Sequence, residues 1–333
     1  MNRKPSLFDV AKHCGVSHQT VSRVVNGNPN VSAATRAKVL AAIEELGYRQ
    51  NLAARALATG RTKTLGVLSF DSPLFGPTAM LHSIQVAARE KGYGVVLNSV
   101  GDISDGGIAA GIAELANSNV DGILVITPRT IEESGSLNAG TKVPLVFREI
   151  RTGEALAVVD IDQFGAAKSA TDYLLARGHR AIAHISGPEN WVTSGRRREG
   201  WDAALTAAGF EVGPLAVGDW SPRSGYQAAK ALLDSGEKFT AIFAANDAMA
   251  LGAYRALAEA GLSVPGDISV IGFDDTPESE FAVPALTTVR QDFDQVGEVL
   301  LSLLLENIEG QSSKAQPQLI AGELILRESV RTQ

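Results

Sequence analysis

Apolar residues recur at helical spacing through the first fifty positions, then in short unbroken runs from residue 64, and this change of period divides the chain. Leu7, Val10 and Ala11 stand at i, i+3 and i+4, which predicts a first helix with one buried face. Gly15 can take the left-handed conformation that a tight turn needs, and Ser17 can cap the next N-terminus. Val21, Val24 and Val25 repeat the spacing and leave His18, Gln19, Ser22, Arg23 and Asn26 on the other side. The pattern predicts a helix-turn-helix whose second helix turns hydrogen-bonding side chains outward. After the loop Gly27-Asn28-Pro29-Asn30, Ser32 opens a third helix with Val39, Ala42, Ile43 and Leu46 inside and Gly47 as its stop. Three short helices on one apolar seam make a mini-domain that is only marginally stable alone.

The stretch from Asn51 to Ala58 is Ala-rich but too short to hold a helix in water unless something braces it, and Thr59-Gly60-Arg61-Thr62 reads as a linker. From Thr64 strands alternate with helices. Leu65–Phe70, Val95–Leu97, Asp121–Ile126 and Val143–Phe147 form one series of strands, with helices over 78–91 and up to 117. Ala181–Ile185, Ala241–Ala244 and Ile268–Phe273 form a second, with helices near 163–177, 197–208, 224–235 and 247–260. Continuous apolar strands between helices indicate parallel sheets covered on both faces, and there are enough strands for two lobes. A cleft between such lobes gathers the carboxyl ends of several strands, where small molecules bind in these folds.

The net charge of −7 conceals an asymmetry. Residues 1–61 carry nine Lys/Arg against Asp9, Glu44 and Glu45, a local charge of +6 that leaves −13 on the remainder. A small basic head on an acidic body suits a modular DNA binder. Gln19 can pair in bidentate fashion with adenine and Arg23 with guanine, while hydroxyls and short amides suit phosphate oxygens. Cys14, the one cysteine, excludes an intramolecular disulfide and reads as a packing residue beside the turn. With an amphipathic N-terminal helix in place of a signal core and no apolar run long enough for a bilayer, a cytoplasmic protein is expected.

Together, Asp9-Val10-Ala11, Gly15-Val16-Ser17, Gln19 to Asn26, Val31-Ser32 and Thr35-Arg36 resemble the lactose/galactose repressor (LacI/GalR) family. So do Ala245-Asn246-Asp247, Met249 to Gly252, Gly272 to Thr276 and Leu286-Thr287-Thr288, in the family's order, so the resemblance runs from about residue 6 to about residue 330. It implies an all-α helix-turn-helix headpiece (1–50), a hinge helix and linker (51–61), and an α/β two-lobed periplasmic-binding-protein-like core with parallel sheets. The chain would cross between lobes three times, giving a first lobe of 62–162 with 291–320 and a second of 163–290 with 321–333.

The resemblance also assigns roles. His18 and Gln19 would be the main base readers and Arg23 a further one, with Leu7, Ser17, Thr20, Ser22, Asn26, Ser32 and Thr35 beside them on the DNA. Asn51, Ala54 and Leu57 would belong to the hinge helix, with Leu57 wedging into the minor groove and the neighbouring alanines letting two such helices approach closely. Phe75, Glu149, Arg197, Trp220, Asn246, Asp274 and Phe293 would line an effector cleft, where an indole stacks on a pyranose and the Arg/Asp/Asn set fixes hydroxyls. Within the family a Tyr occurs where His18 stands, which implies a different operator preference; at the effector cleft the resemblance is incomplete, with a Gln where Ala248 stands and an Asp where Glu149 stands. The expected partners are a near-palindromic double-stranded DNA operator, a sugar effector of galactoside type, and a second copy of the chain in a homodimer. The sequence ends at Gln333 without the apolar heptad helix that makes tetramers in the family, and no membrane partner is expected.

The reading is a repressor released by its sugar. A corepressor-dependent regulator and a sugar-binding protein without DNA function are the alternatives; the basic head and absent export signal oppose the latter. An enzyme is the weakest reading, because the chain has no phosphate-cradling glycine loop, nucleophile elbow or spaced metal-ligand cluster. Accordingly no catalytic residue, cofactor or metal is expected. Histidines 13, 18, 82, 179 and 184 are scattered; His82 and His184 read as packing or surface residues and His179 as a loop residue.

Overall fold

In the computed structural model, which describes residues 5–49, 56–57, 59–101, 103–128, 141–148, 159–311 and 318–333, Ser6 starts the first helix through a reciprocal capping box. The Asp9 N–H donates to Ser6 Oγ (3.3 Å), and Asp9 Oδ2 accepts the Ser6 N–H (2.7 Å). This helix, α1 (Leu7–Cys14), ends on Gly15 at φ 60°, the left-handed position its sequence anticipates. Ser17 and Ser32 then cap α2 (His18–Val25) and α3 (Ala33–Leu46) alike, each hydroxyl accepting the N–H three residues on, at 3.1 and 3.2 Å. Val10, Ala11, Cys14, Val21, Val24, Val39 and Ala42 form one shared core. Cys14 is buried in it, donating to Val10 O at 2.9 Å. Ala56, Leu57 and Thr59 are helical, and the Gly60 N–H donates to Ala56 O (2.8 Å). The remainder of the expected hinge, Asn51 and Ala54 included, lies outside the described residues.

Met1–Lys63 and Thr64–Gln333 are separate units. The second unit opens with β1 (Thr64–Phe70), α4 (Phe75–Glu90), β2 (Gly94–Val100), α5 (Asp105–Asn117), β3 (Gly122–Val125) and β4 (Leu145–Phe147). Its first sheet is parallel with strand order β2-β1-β3-β4. Side chains along these strands alternate between two cores, as period two demands. Leu65, Val67, Leu124, Ile126 and Val146 enter one, and Leu68, Ile123, Val125, Leu145 and Phe147 the other. Burial on both faces is why the runs read as continuous apolar sequence.

After β5 (Val159–Ile161) come α6 (Gln163–Ala176), β6 (Ile182–Ser186), α7 (Val192–Ala207), β7 (Leu215–Val217), α8 (Pro222–Asp234), β8 (Ala241–Ala244), α9 (Asp247–Glu259) and β9 (Ser269–Ile271). They build a second parallel sheet of order β7-β6-β8-β9 with the same alternation. On one face of β6, His184 is sandwiched by the rings of Trp201 (5.1 Å) and Phe243 (5.0 Å) and its Nδ1 meets Phe243 O at 2.8 Å. Burial holds this packing imidazole down at about 3. His179 is also buried, against Thr240 Oγ1 at 2.8 Å, and His82 is exposed.

The chain then returns through β10 (Thr288–Arg290) to α10 (Phe293–Ile308), whose Phe293, Val296, Leu300, Leu301 and Leu304 belong to a core of the first sheet. β11 (Gln318–Ile320) pairs in parallel with β5, and β12 (Glu323–Ile325) antiparallel with β10. Three chain passages therefore join the two sheets, next to residues 162, 291 and 321. Two helices start earlier than their periodicity predicts. α4 begins at Phe75, taking Pro77 into its first turn, where a missing N–H is harmless. α7 begins at Val192 behind Trp191, which provides no side-chain cap and hence no start signal.

Candidate functional site

In the first unit, the outer side of α2 is the polar one. His18, Gln19, Arg23 and Asn26 are exposed, and Ser17 and Ser32 are exposed at the caps. Leu7, Thr20, Ser22 and Thr35 are half-buried. Local bonds order this surface: Ser17 Oγ meets Thr20 Oγ1 (2.9 Å), Ser32 Oγ meets Thr35 Oγ1 (2.8 Å), and Asn26 Nδ2 donates to Ser22 Oγ (3.3 Å). The His18 ring stacks on Phe8, with centroids 5.0 Å apart and planes 27° apart. Leu57 is 90% exposed, an apolar side chain with nothing of its own unit to cover it among the described residues.

In the second unit, strand order reverses between β1 and β3 and again between β6 and β8, and crevices open at such switch points. A cleft with about 570 Å³ of empty space lies there, and its lining follows the carboxyl ends of seven strands. Phe70 ends β1 and leads to Phe75; Thr127 follows β3, Arg148 β4, Trp191 β6, Trp220 β7, Asn246 β8 and Asp274 β9. Gln291 and Phe293, after β10, complete it. Six of the seven residues expected in the cleft are therefore brought together, and Glu149 lies outside the described residues.

The polar floor is a linked network. Arg197 Nε donates to Gln163 Oε1 (2.8 Å), Nη1 to Ala245 O, and Nη2 lies 3.4 Å from Asp274 Oδ1. Gln163 Nε2 donates to Gln291 Oε1 (2.8 Å), and Gln291 Nε2 to Asp274 Oδ1 (2.6 Å). Arg148 lies over Asp160, with Nε and Nη2 donating to Oδ1 at 2.9 and 2.8 Å. The Arg197 guanidinium also covers the Phe273 ring at 3.7 Å from its centroid. Burial is the largest influence on the central pair: it pulls Arg197 down and raises Asp274 to about 6, against their mutual attraction.

Asp274 stands at φ 112° and Trp220 at φ 74°, left-handed values that disfavour side chains and mark positions held by their surroundings. Trp220 is held from two sides. Asn246 Nδ2 donates to its carbonyl (3.0 Å), while Asn246 Oδ1 caps α9 by accepting the Met249 N–H (2.9 Å). Asn246 thus orients the indole as well as lining the cleft. Across the ring, Gly187 leaves no room for more, because a Cβ there would come within 2.2 Å of the indole. Trp220 Nε1 is buried without a partner among the described residues.

Sequence reasoning missed Arg148, Trp191 and Gln291. Arg148 adjoins the expected Glu149 and Gln291 lies two residues before the expected Phe293, so the right segments were in view. Trp191 had only its residue type to mark it.

A three-helix head with an outward polar second helix and a two-sheet body with a cleft at its strand ends define the class: a helix-turn-helix protein carrying a ligand-binding body. Residues 6–51 match the bacterial regulatory proteins of the lacI family, and residues 171–330 match a periplasmic binding protein-like domain. The chain is 36% identical to the lactose operon repressor of Escherichia coli (strain K12) over 327 residues, covering 97% of this chain and 90% of that protein. It is 36% identical to the HTH-type transcriptional regulator CelR of Thermobifida fusca over 346 residues, 98% of each. A crystal structure of the lac repressor dimer bound to operator and the anti-inducer ONPF superimposes with a TM-score of 0.89 at 35% identity, covering 99% of this chain and all of that one. The chain belongs to the lacI family of bacterial regulatory proteins, and its relatives are transcription regulators rather than enzymes. No helix among the described residues is long and apolar enough to cross a membrane.

Proposed function

We propose that this regulator represses transcription of a sugar-utilisation operon from the cytoplasm and leaves its operator when a sugar, galactoside in type, enters the cleft. One observation carries the reading: a single chain joins an outward-facing polar recognition helix to a buried polar network roofed by aromatic rings at the ends of two sheets. The cleft's chemistry supports a neutral polyhydroxyl ligand. Its cations, Arg197 and Arg148, each face a carboxylate, so the network offers directed hydrogen bonds without an unmatched charge. Trp220 offers an indole face and a buried Nε1 donor that a ligand hydroxyl would satisfy. Phe75, Arg197, Trp220, Asn246, Asp274 and Phe293 are the proposed effector residues, with Arg148, Trp191 and Gln291 beside them.

On DNA, His18, Gln19 and Arg23 read base edges, and Leu7, Ser17, Thr20, Ser22, Asn26, Ser32 and Thr35 hold the backbone. Leu57 is the minor-groove wedge; its exposure supports an apolar partner outside its own unit. The lobes divide at 62–162 with 291–320 and 163–290 with 321–333, in keeping with the three passages between the sheets. A homodimer on a near-palindromic site is supported by exposed apolar residues: Val96 and Leu97 on the edge strand β2, and Phe281 and Val283 at 79% and 92% exposure. The lactose operon repressor among the relatives supports the sugar class.

The test is to select duplexes from a randomised near-palindromic pool and titrate them by fluorescence anisotropy with galactosides, glucosides and purines present. Loss of specific binding with one sugar, absent in Trp220→Ala, is expected. Tighter operator binding with any ligand would reverse the proposed sign, and failure to select any duplex would remove the regulator reading itself.

A further inference from the structure

The turn that carries Asp274 into the cleft is conformationally costly. Asp274 and Asp275 are successive residues in the left-handed region, at φ 112° and φ 51°, and such a pair persists only where its surroundings hold it. The next residue along is anchored by Asp247, the first residue of α9, which is fully buried and lies outside the cleft lining. Asp247 Oδ2 accepts the Thr276 N–H (2.8 Å) and the Ser279 hydroxyl (2.7 Å), and Oδ1 accepts the Thr288 hydroxyl (2.5 Å). We propose that Asp247 is a positioning residue for the effector: its carboxylate holds the turn from Asp274 to Ser279 and so aims the Asp274 carboxylate at the ligand. This rests on the sugar reading given above.

Several elements meet on this one side chain. The Asp247 N–H donates to Phe273 O (2.8 Å), so the same residue grips the chain on both sides of the left-handed pair. Thr288 lies on β10, and its hydroxyl also accepts the Asp275 N–H (3.3 Å), which leaves its own hydrogen for Asp247. Ser279 lies in a 3-10 turn (Pro277–Phe281) that closes back on Thr276, their hydroxyl oxygens 3.1 Å apart. Gly272 makes room for the carboxylate, because a Cβ there would come within 2.1 Å of Oδ1. The result is an Asp274 Oδ1 that stands 2.6 Å from Gln291 Nε2 and 3.4 Å from Arg197 Nη2. Asn246, one residue earlier, holds the Trp220 carbonyl, so the start of α9 mounts the indole wall and the carboxylate wall together.

The geometry suits an ionised carboxylate. A protonated one must aim its hydrogen at a group that is already donating, which weakens at least one of the three bonds. Burial, and then the charge of Asp274, raises Asp247 to about 7 against those bonds. The other charged or titratable groups facing it are Arg197 of α7 and Tyr254 of α9; Asp275, beside the same turn, is paired to Arg290 and Arg327 at 2.7 Å each. Sugar should therefore bind more weakly as pH falls through this value, because the protonated form slackens the turn.

Two near-isosteric substitutions test this. Asp247→Asn exchanges an acceptor oxygen for a donor, and Thr288→Val removes one of the three donors. Full-length wild type and both variants would be titrated calorimetrically with methyl galactoside, methyl glucoside, lactose and cellobiose at pH 8 and pH 6.5, with operator anisotropy in the absence of sugar checking the fold of each. At pH 8 the sugar that wild type binds most tightly should lose about tenfold in affinity with Asp247→Asn and about threefold with Thr288→Val. Wild type should lose about threefold between pH 8 and pH 6.5, and Asp247→Asn should not, a difference that a merely structural aspartate would not produce. Wild-type affinity in Asp247→Asn at pH 8, or a pH dependence that survives this substitution, would overturn the positioning role while leaving a sugar cleft intact. If Asp247→Asn does not fold, Thr288→Val decides, and affinity equal to wild type overturns the proposal. If none of the four sugars binds wild type, the sugar reading fails and this role with it.

Discussion

At the scale of single residues, burial shifts the protonation of several groups in the body, and the effects of His184, Asp247 and Asp274 on stability oppose one another. His184 lies near 3 where an unfolded histidine lies near 6.5. Between those values the unfolded chain takes up a proton that the folded chain refuses, so His184 lowers stability as pH falls through that window. Asp247 is raised to about 7 and Asp274 to about 6, both mainly by burial, with Asp247 accepting from Thr276 N, Ser279 Oγ and Thr288 Oγ1. From 3.8 up to those values the folded state holds protons that the unfolded state has lost, so the two acids favour the fold on acidification and lose that contribution as pH rises. His184→Phe isolates the first effect, because a phenyl ring fits between Trp201 and Phe243 and cannot take a proton. Denaturant unfolding at pH 6.5 and pH 4 should show this variant losing less stability on acidification than wild type. Equal losses would place the proton uptake elsewhere. The same scale explains why the cleft was legible in part. Asn246 and Asp274 stand in motifs with the family's order and Trp220 and Arg197 take their roles from the resemblance as a whole, whereas Trp191 and Gln291 carry no local pattern and acquire meaning only where separate strand ends meet.

At the scale of elements, legibility followed local signals. The three head helices and the longer strands announce themselves by period, caps and stops, and the structure has them where Ser17, Ser32, Gly15 and Gly47 set their ends. β5, β10, β11 and β12 are three residues each and, unlike the equally short β4 and β9, do not read as strands from the sequence. Their pairings join Val159 to Gln318 and Thr288 to Ile325, distances in sequence that no local rule spans. The head's small core makes its stops matter. Gly47 closes α3 at φ 61°, a conformation that costs a β-branched residue about 1–2 kcal/mol. Gly47→Val is predicted to lower the melting of the head and leave that of the body unchanged, since the two units have separate cores. Scanning calorimetry of the full chain checks this, and an equal shift of both transitions would contradict it.

At the scale of the whole molecule, charge and chemistry are divided between the units. The first 61 residues hold a charge of +6 and the rest −13, so attraction to DNA is concentrated in the head while the body resists non-specific binding. A sugar in the cleft can influence the operator only by binding more tightly to one state of the protein than to the other. Linkage then requires reciprocity: the factor by which sugar weakens operator binding must equal the factor by which operator weakens sugar binding. The decisive measurement is therefore the affinity of one sugar for the free protein and for the protein saturated with its selected operator. The account predicts affinity lower on the operator by about five- to 150-fold, the range typical of coupled sites, and an equal fall in operator affinity when sugar saturates. A sugar that binds free and operator-bound protein equally well would contradict it, leaving a DNA-binding head and a sugar-binding body that do not communicate.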